Sequence, residues 1–373
     1  MPKHSIRNVP RYFVPYTADC FQNAYGALVS YYDLNTDLIL ADYLSFMFDA
    51  GTGYIGMNFL HKPSRTFEFT KEEMNTSLEY VRFSPAVCYD SAVSGETEAA
   101  PDDKINICLY FQDDGDLAHL RLKELIAADI PVVAVVDLYY MSYHRAYEKD
   151  HGAHAVVVTG YDEEEGYIEL FDKYSLSSSD FDGRIPVEEF KKARSSENFQ
   201  GTYSKPIRNM WMEVTVDSRF HYDERRWKAI ITESCSRMLG EKDVLGFSCG
   251  LGAIDQLRRS LLLKKQELPA DELFPEYRHY YNPAFKIISR SRTRFGVFLK
   301  LLEAELPRGL AEEAVFQLEE AAKKWEIISN LSLRLAITKN LSSIDNLCKQ
   351  LEAIKDNESR AVDKLLGGLK TGG

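Results

Sequence analysis

Long apolar runs are missing from this chain, and nothing in it approaches the about eighteen consecutive apolar residues that a membrane-spanning helix needs. The opening MPKHSIRNVPRYF lacks the apolar core of a secretory signal, so a cytoplasmic location and no membrane partner are expected. Cysteine is scarce: six in 373 residues, at positions 20, 88, 108, 235, 249 and 348, with no CxxC pair. That scatter speaks against a disulfide framework and against structural zinc, and leaves reduced thiols. Positive charge is also short, with 45 Lys and Arg against 57 Asp and Glu and a formal charge of -12. Phosphate backbones and anionic membranes call for basic surface, so nucleic acid is not expected as a partner. The remainder is 45% hydrophobic and 27% charged, an ordinary globular composition long enough for two domains.

The pattern changes character near residue 219. Before it, strand-like and helical runs are mixed, which predicts an α+β domain over 1–219. After it, apolar residues recur at helical spacing over 224–239, 251–265, 285–305, 311–336 and 341–366, predicting an all-α domain over 220–373. In the first part Asp19 can cap a helix whose first turn holds Cys20, and TDLILADYLSFMFDAG reads as a second amphipathic helix. The run PVVAVVDLYY from Pro131 reads as a buried central strand. Residues 90–104 are polar and poor in apolar side chains, predicting an exposed loop.

The stretch His151 to Tyr174, HGAHAVVVTGYDEEEGYIELFDKY, carries two β-branched runs around an acidic, Gly-ended connector, the pattern of an antiparallel hairpin. With a turn centred near Glu164, His154 faces Tyr174 and Val156 faces Asp172, so His154 and Asp172 share a face as diagonal neighbours. A slip of one residue would send them to opposite faces. Cys20 at a helix start sits where the dipole favours an anion. A Cys at a helix start, then a His opening a strand, then an Asp closing the next is the chain order of papain-like cysteine enzymes. The three roles fit: sulfur as nucleophile, imidazole as proton acceptor, carboxylate as the group that fixes the imidazole tautomer. His151 is an alternative base, less constrained because it precedes the strand. Asp137 could hold an amine or serve as a structural carboxylate. The backbone at the start of the Cys20 helix is the expected oxyanion donor, with Gln22 a candidate side-chain donor. GTGYIG at 51–56 matches a dinucleotide fingerprint without its strand and helix context, and GFSCG at 246–250 matches a nucleophile elbow in a helical region.

CFQNAYGALVSYY with TDLILADYLSFMF and GTGYIG, then IPVVAVVDLYYMSYH, then HAVVVTGYDEEEGYIELFDKY together resemble the amino-terminal domain of the butirosin-type acyltransferase family. The resemblance spans about residues 10 to 216, and it extends more weakly through RSRTRFGVFLK and EEAAKKWEIISNLSLRL. It is also similar to the amide-forming enzymes of thiotemplated, closthioamide-type assembly. The resemblance implies a papain-like catalytic domain that moves an acyl group from a carrier-protein thioester to an amine. It matches Cys20 to the nucleophile, His154 to the base and Asp172 to the orienting acid. The position after the family's cysteine is commonly His and is Phe21 here, where no catalytic role falls. No cofactor or metal is implied beyond the phosphopantetheine that an acyl or peptidyl carrier protein brings. Carrier proteins are generally acidic, so the basic run Lys286, Arg290, Arg292 and Arg294 is the candidate docking patch. A cysteine peptidase or amidase, with water in place of the amine, is the alternative, and a non-catalytic carrier-binding protein a third.

Overall fold

The computed structural model describes residues 2–15, 19–39, 43–58, 61–64, 80–83, 105–175, 179–197, 207–216 and 223–371. The expected loop at 90–104, the boundary near 219 and Cys88 lie outside them. In chain order the first elements are β1 (Lys3–Ser5), α1 (Cys20–Tyr31), α2 (Thr36–Ile39), β2 (Met47–Phe48), β3 (Ile55–Gly56), β4 (Tyr80–Phe83) and β5 (Ile105–Tyr110). Then come α3 (Gly115–Ala127), β6 (Val132–Asp137), β7 (Ala153–Asp162), β8 (Tyr167–Ser175), β9 (Ser179–Pro186), α4 (Val187–Arg194) and β10 (Trp211–Val216). The rest is α5 (Glu224–Leu239), β11 (Ser248–Cys249), α6 (Gly250–Glu267), α7 (Ala270–Glu276), α8 (Asn282–Leu301), α9 (Leu310–Thr338) and α10 (Ser343–Thr371). The chain is thus mixed helix and sheet with a helical carboxy-terminal region. Among the described residues no helix is long and apolar enough to cross a membrane.

Two compact units emerge: Met1–Leu40 with Arg65–His221, and Ala41–Ser64 with Tyr222–Gly373. The first is built on a sheet ordered β4-β5-β10-β6-β7-β8-β9, antiparallel at each pairing, with β1 added to the far end of β7. At its centre β6 is buried at every residue, because VVAVVD lies between β10 and β7 and is covered on both faces. Helix α1 packs on β7 and β8, bringing its first turn to the strand pair that carries His154 and Asp172. After the hairpin, Ser179–Pro186 forms β9, which completes a ladder along β8 from Ser175 to Tyr167. Its alternating polar and apolar residues suit an edge strand with one wet face.

The second unit collects α5 to α10 around a small sheet, β11-β2-β3. Here the expected amphipathic helix over TDLILADYLSFMFDAG is corrected: among the described residues only Thr36–Ile39 are helical, and Met47 and Phe48 form a strand. Phe46, Phe48 and Ile55 join one buried cluster with Leu257, Tyr281 and Trp325, so tertiary burial outweighs helical propensity in this stretch. GTGYIG is the turn of that hairpin. Gly53 has φ 77°, a Cβ there would meet Lys264 Nζ at 2.7 Å, and Tyr280 Oη takes the Ile55 N–H at 2.8 Å. GFSCG runs from a turn through β11 into α6, with Ser248 on a two-residue strand antiparallel to β2.

The basic run is also corrected. Arg292 is fully buried, its guanidinium held by Glu358 through Nε at 2.7 Å and Nη2 at 3.0 Å, and Arg294 is 4% exposed. Along α8 the 3.6-residue period turns position 292 to the face that buries Phe285, Ile288, Phe295 and Leu299, so the four residues form no single surface. Lys286 is exposed and Arg290 half-buried.

Candidate active site

The local sequence D-C-F-Q makes a reciprocal capping box. Asp19, in extended conformation at φ -85°, accepts the Gln22 N–H at 2.7 Å, and Gln22 Oε1 accepts the Asp19 N–H at 3.2 Å. This fixes Cys20 as the first helical residue, half-buried, while Phe21 to Val29 behind it are buried. The thiol is free. Gln22 uses its carbonyl oxygen on the cap, so only its amide nitrogen is left for the oxyanion role considered for it.

His154 stands opposite Val136 on β7, 3% exposed, and Asp172 on β8 is 2% exposed. The hairpin register explains why they meet. Near the turn, Asp162 pairs with Tyr167 and Gly160 with Glu169; beyond a bulge between Val158 and Gly160, Val158 pairs with Leu170 and Val157 with Phe171. Thr159 is the extra residue. Had it taken a place in the ladder, Asp172 would have paired one residue along and lost the shared face with His154. With the bulge, His154 Nε2 lies 2.9 Å from Asp172 Oδ1 and 3.0 Å from Oδ2. The Cys20 sulfur lies near enough to act on the same ring and favours its charged form. Since Nε2 is committed to the carboxylate, Nδ1 is the nitrogen left for sulfur. Burial works against a charge on His154, but the Asp172 carboxylate and the Cys20 sulfur outweigh it and hold its pKa well above the ordinary imidazole value. The site is therefore built to keep a proton on His154 beside the sulfur.

Tyr143, which the sequence reading missed, donates from Oη to Asp172 Oδ2 at 3.0 Å and stacks on Phe181 with ring centroids 4.1 Å apart. Burial and then the Asp172 charge push its own pKa well above the usual phenol value, so it remains a donor. No local signal marks it, because it lies 29 residues before its partner. Tyr143→Phe keeps the stack and removes the donor, leaving Asp172 a stronger base. We expect turnover to fall by about tenfold or less and the alkaline limb of the pH profile to move to higher pH, because the imidazolium is then held more tightly. A pH–rate series on the purified variant checks both. His144 lies next to this group, its ring 6.1 Å from that of His154, with Nδ1 accepting the Ala146 N–H at 3.1 Å. Burial and then the charge on His154 lower its pKa, so it stays neutral beside the imidazolium.

The alternatives fall elsewhere. His151 Nδ1 is 2.7 Å from Asp137 Oδ2, and its ring stacks on Tyr139 at 4.0 Å, so it has a different acid from His154. Asp137 also accepts from Ser196 Oγ at 2.6 Å, Gly152 N at 3.0 Å and Tyr139 N at 3.1 Å. Those bonds tie the end of β6 to the start of β7, which makes Asp137 a structural carboxylate. Among the described residues, no three His, Cys, Asp or Glu side chains gather as a metal-ligand group.

This geometry sits inside a recognisable stretch. Residues 19–173 match the family described as butirosin biosynthesis protein H, N-terminal. No curated protein matches the chain. The butirosin H-type stretch begins at the residue that caps α1 and ends one residue past Asp172, so it contains the nucleophile candidate, both hydrogen-bonded partners and Tyr143. The family takes its name from a protein of butirosin biosynthesis.

Proposed function

We propose that this protein is a cysteine-dependent acyltransferase with a papain-like catalytic domain, forming an amide in secondary-metabolite biosynthesis. The observation that carries the reading is the buried, hydrogen-bonded His154–Asp172 pair beside the helix-start thiol of Cys20, within the butirosin H-type stretch. Cys20 Sγ attacks the carbonyl carbon of a carrier-protein thioester, and the phosphopantetheine thiolate leaves with the proton held by His154. An amine then attacks the acyl-enzyme, the Sγ–C bond breaks, and the proton released by the amine passes to His154. Asp172 stabilises the imidazolium in each half-reaction. The thioester is already activated, so the reading needs no cofactor beyond the partner's phosphopantetheine arm. Lys286 and Arg290 remain the members of the basic run suited to an acidic carrier. The four cysteines described as free thiols fit a reducing cytoplasm.

The alternative, a cysteine peptidase or amidase, uses the same three residues with water as acceptor. Intact-protein mass spectrometry after mixing with acyl-loaded carrier proteins tests the first half-reaction. An acyl mass gain on the wild type, lost in Cys20→Ala, is expected. The amide-to-acid product ratio as amine concentration rises tests the second, and a ratio near zero across many amines and amine-bearing carriers would turn the reading to hydrolysis.

A further inference from the structure

Asn23 stands one helical turn after Cys20, and side chains three residues apart on a helix share a face and lean back toward its N-terminus. It is 3% exposed. Its Oδ1 has a clear task, accepting the Val14 N–H at 3.0 Å and so holding the amino-terminal arm. Its Nδ2 has none: the nitrogen is buried and carries no hydrogen bond. A buried amide donor left unpaired is costly, and such a group in a native fold calls for a reason. Asn23 borders a narrow cavity of about 10 Å³ together with Cys20, Tyr12 and Asp172. That volume is about what one water-sized group occupies, and a carbonyl oxygen is such a group.

We propose that Asn23 Nδ2 is the side-chain oxyanion donor for acyl transfer at Cys20. When Sγ adds to the acyl carbon, the Sγ–C bond forms and the carbonyl π pair moves onto oxygen. Asn23 Nδ2–H and the Cys20 backbone N–H, at the positive end of α1, then receive that oxyanion. On collapse the C=O bond reforms and the leaving group departs. A neutral amide donor suits the role because its bond strengthens as charge develops in a site closed to water. The proposal rests on the reading of Cys20 as an acyl acceptor, and not on whether amine or water follows.

Asn23→Asp retains an oxygen for Val14 and removes both N–H donors. Two reactions of Cys20 are compared at one pH: acylation by a short-chain N-acetylcysteamine thioester, and alkylation by iodoacetamide. Alkylation displaces iodide from a saturated carbon and forms no oxyanion. Any change in thiolate population affects both, so the acylation-to-alkylation ratio isolates the donor. This ratio is expected to fall by about 10²- to 10³-fold, and similarly in Asn23→Ala, which carries the test if the Asp variant fails to fold. A ratio within about threefold of wild type in the folded variant overturns the proposal and leaves Asn23 a tether of the arm. If the wild type takes its acyl group from an amide and not from a thioester, the transferase reading fails, and the same ratio measured on the amide still decides Asn23. A wild-type Cys20 that accepts acyl groups from neither overturns both.

Discussion

Asp172→Asn is expected to slow acyl transfer at Cys20 by about 10²- to 10⁴-fold and to move the alkaline limb of the pH profile to lower pH. The carboxylate is 2% exposed and sits within 3.0 Å of His154 Nε2 through both oxygens, so its charge acts in a poorly screened setting. An Asn there preserves the volume and can still accept from Nε2–H, with Tyr143 Oη turning to accept the amide N–H. What is lost is the negative charge that holds the proton on His154 against its burial. The sign follows directly. The folded-state pKa of His154 is raised, so the imidazolium is present below that pKa and lost as pH rises through it. Removing Asp172 lowers the pKa, and the active form is lost at a lower pH. Steady-state rates across pH, with thermal melting as a check on the fold, measure both effects. A variant with wild-type rate and an unmoved limb would show that Asp172 orients nothing. The shift is opposite to that expected for Tyr143→Phe, so the pair of variants reads the same hydrogen bond from its two sides.

Glu358→Ala should be the most destabilising single change in the helical unit, by about 3–5 kcal/mol. Glu358 and Arg292 are both fully buried, and the carboxylate also accepts from Trp325 Nε1 at 2.7 Å. Arg292 Nη1 in turn donates to the Ser45 carbonyl at 2.8 Å, linking α8 to the strand-forming segment. Removing the acid leaves a buried guanidinium with no counter-charge and frees the Trp325 N–H, whereas replacing both charges with apolar side chains avoids that penalty. Arg292→Met with Glu358→Leu is therefore expected to recover most of the loss. Urea unfolding gives the comparison, and a single variant within about 1 kcal/mol of wild type would mean that the ion pair is not the anchor described here.

Local sequence carried more of the site than of the surrounding fold. The α1 cap is legible because Asp19, Cys20 and Gln22 interact within one turn, and the helices of the carboxy-terminal region because their 3.6-residue period repeats over many turns. His154 and Asp172 were readable as one face of a hairpin, but the register at their level is the product of the Thr159 bulge, which the lone Gly160 beside it signals without saying which residue is left out of the ladder. Tyr143 and Asn23 had no signal, since their meaning depends on a partner or cavity that folding supplies.

The amino-acid sequence by itself determined the change from mixed to helical pattern, the capped helix start at Cys20 and the strand pair bearing His154 and Asp172. Each is set by interactions between residues close in the chain or by a repeated period. Only the tertiary structure decided that residues 41–64 join the helical unit, that Ser179–Pro186 extends the sheet, and that Arg292 is an internal ion-pair partner and not docking surface. Those outcomes depend on burial against segments far away in sequence, where the gain from covering apolar side chains and pairing a buried charge exceeds any local preference.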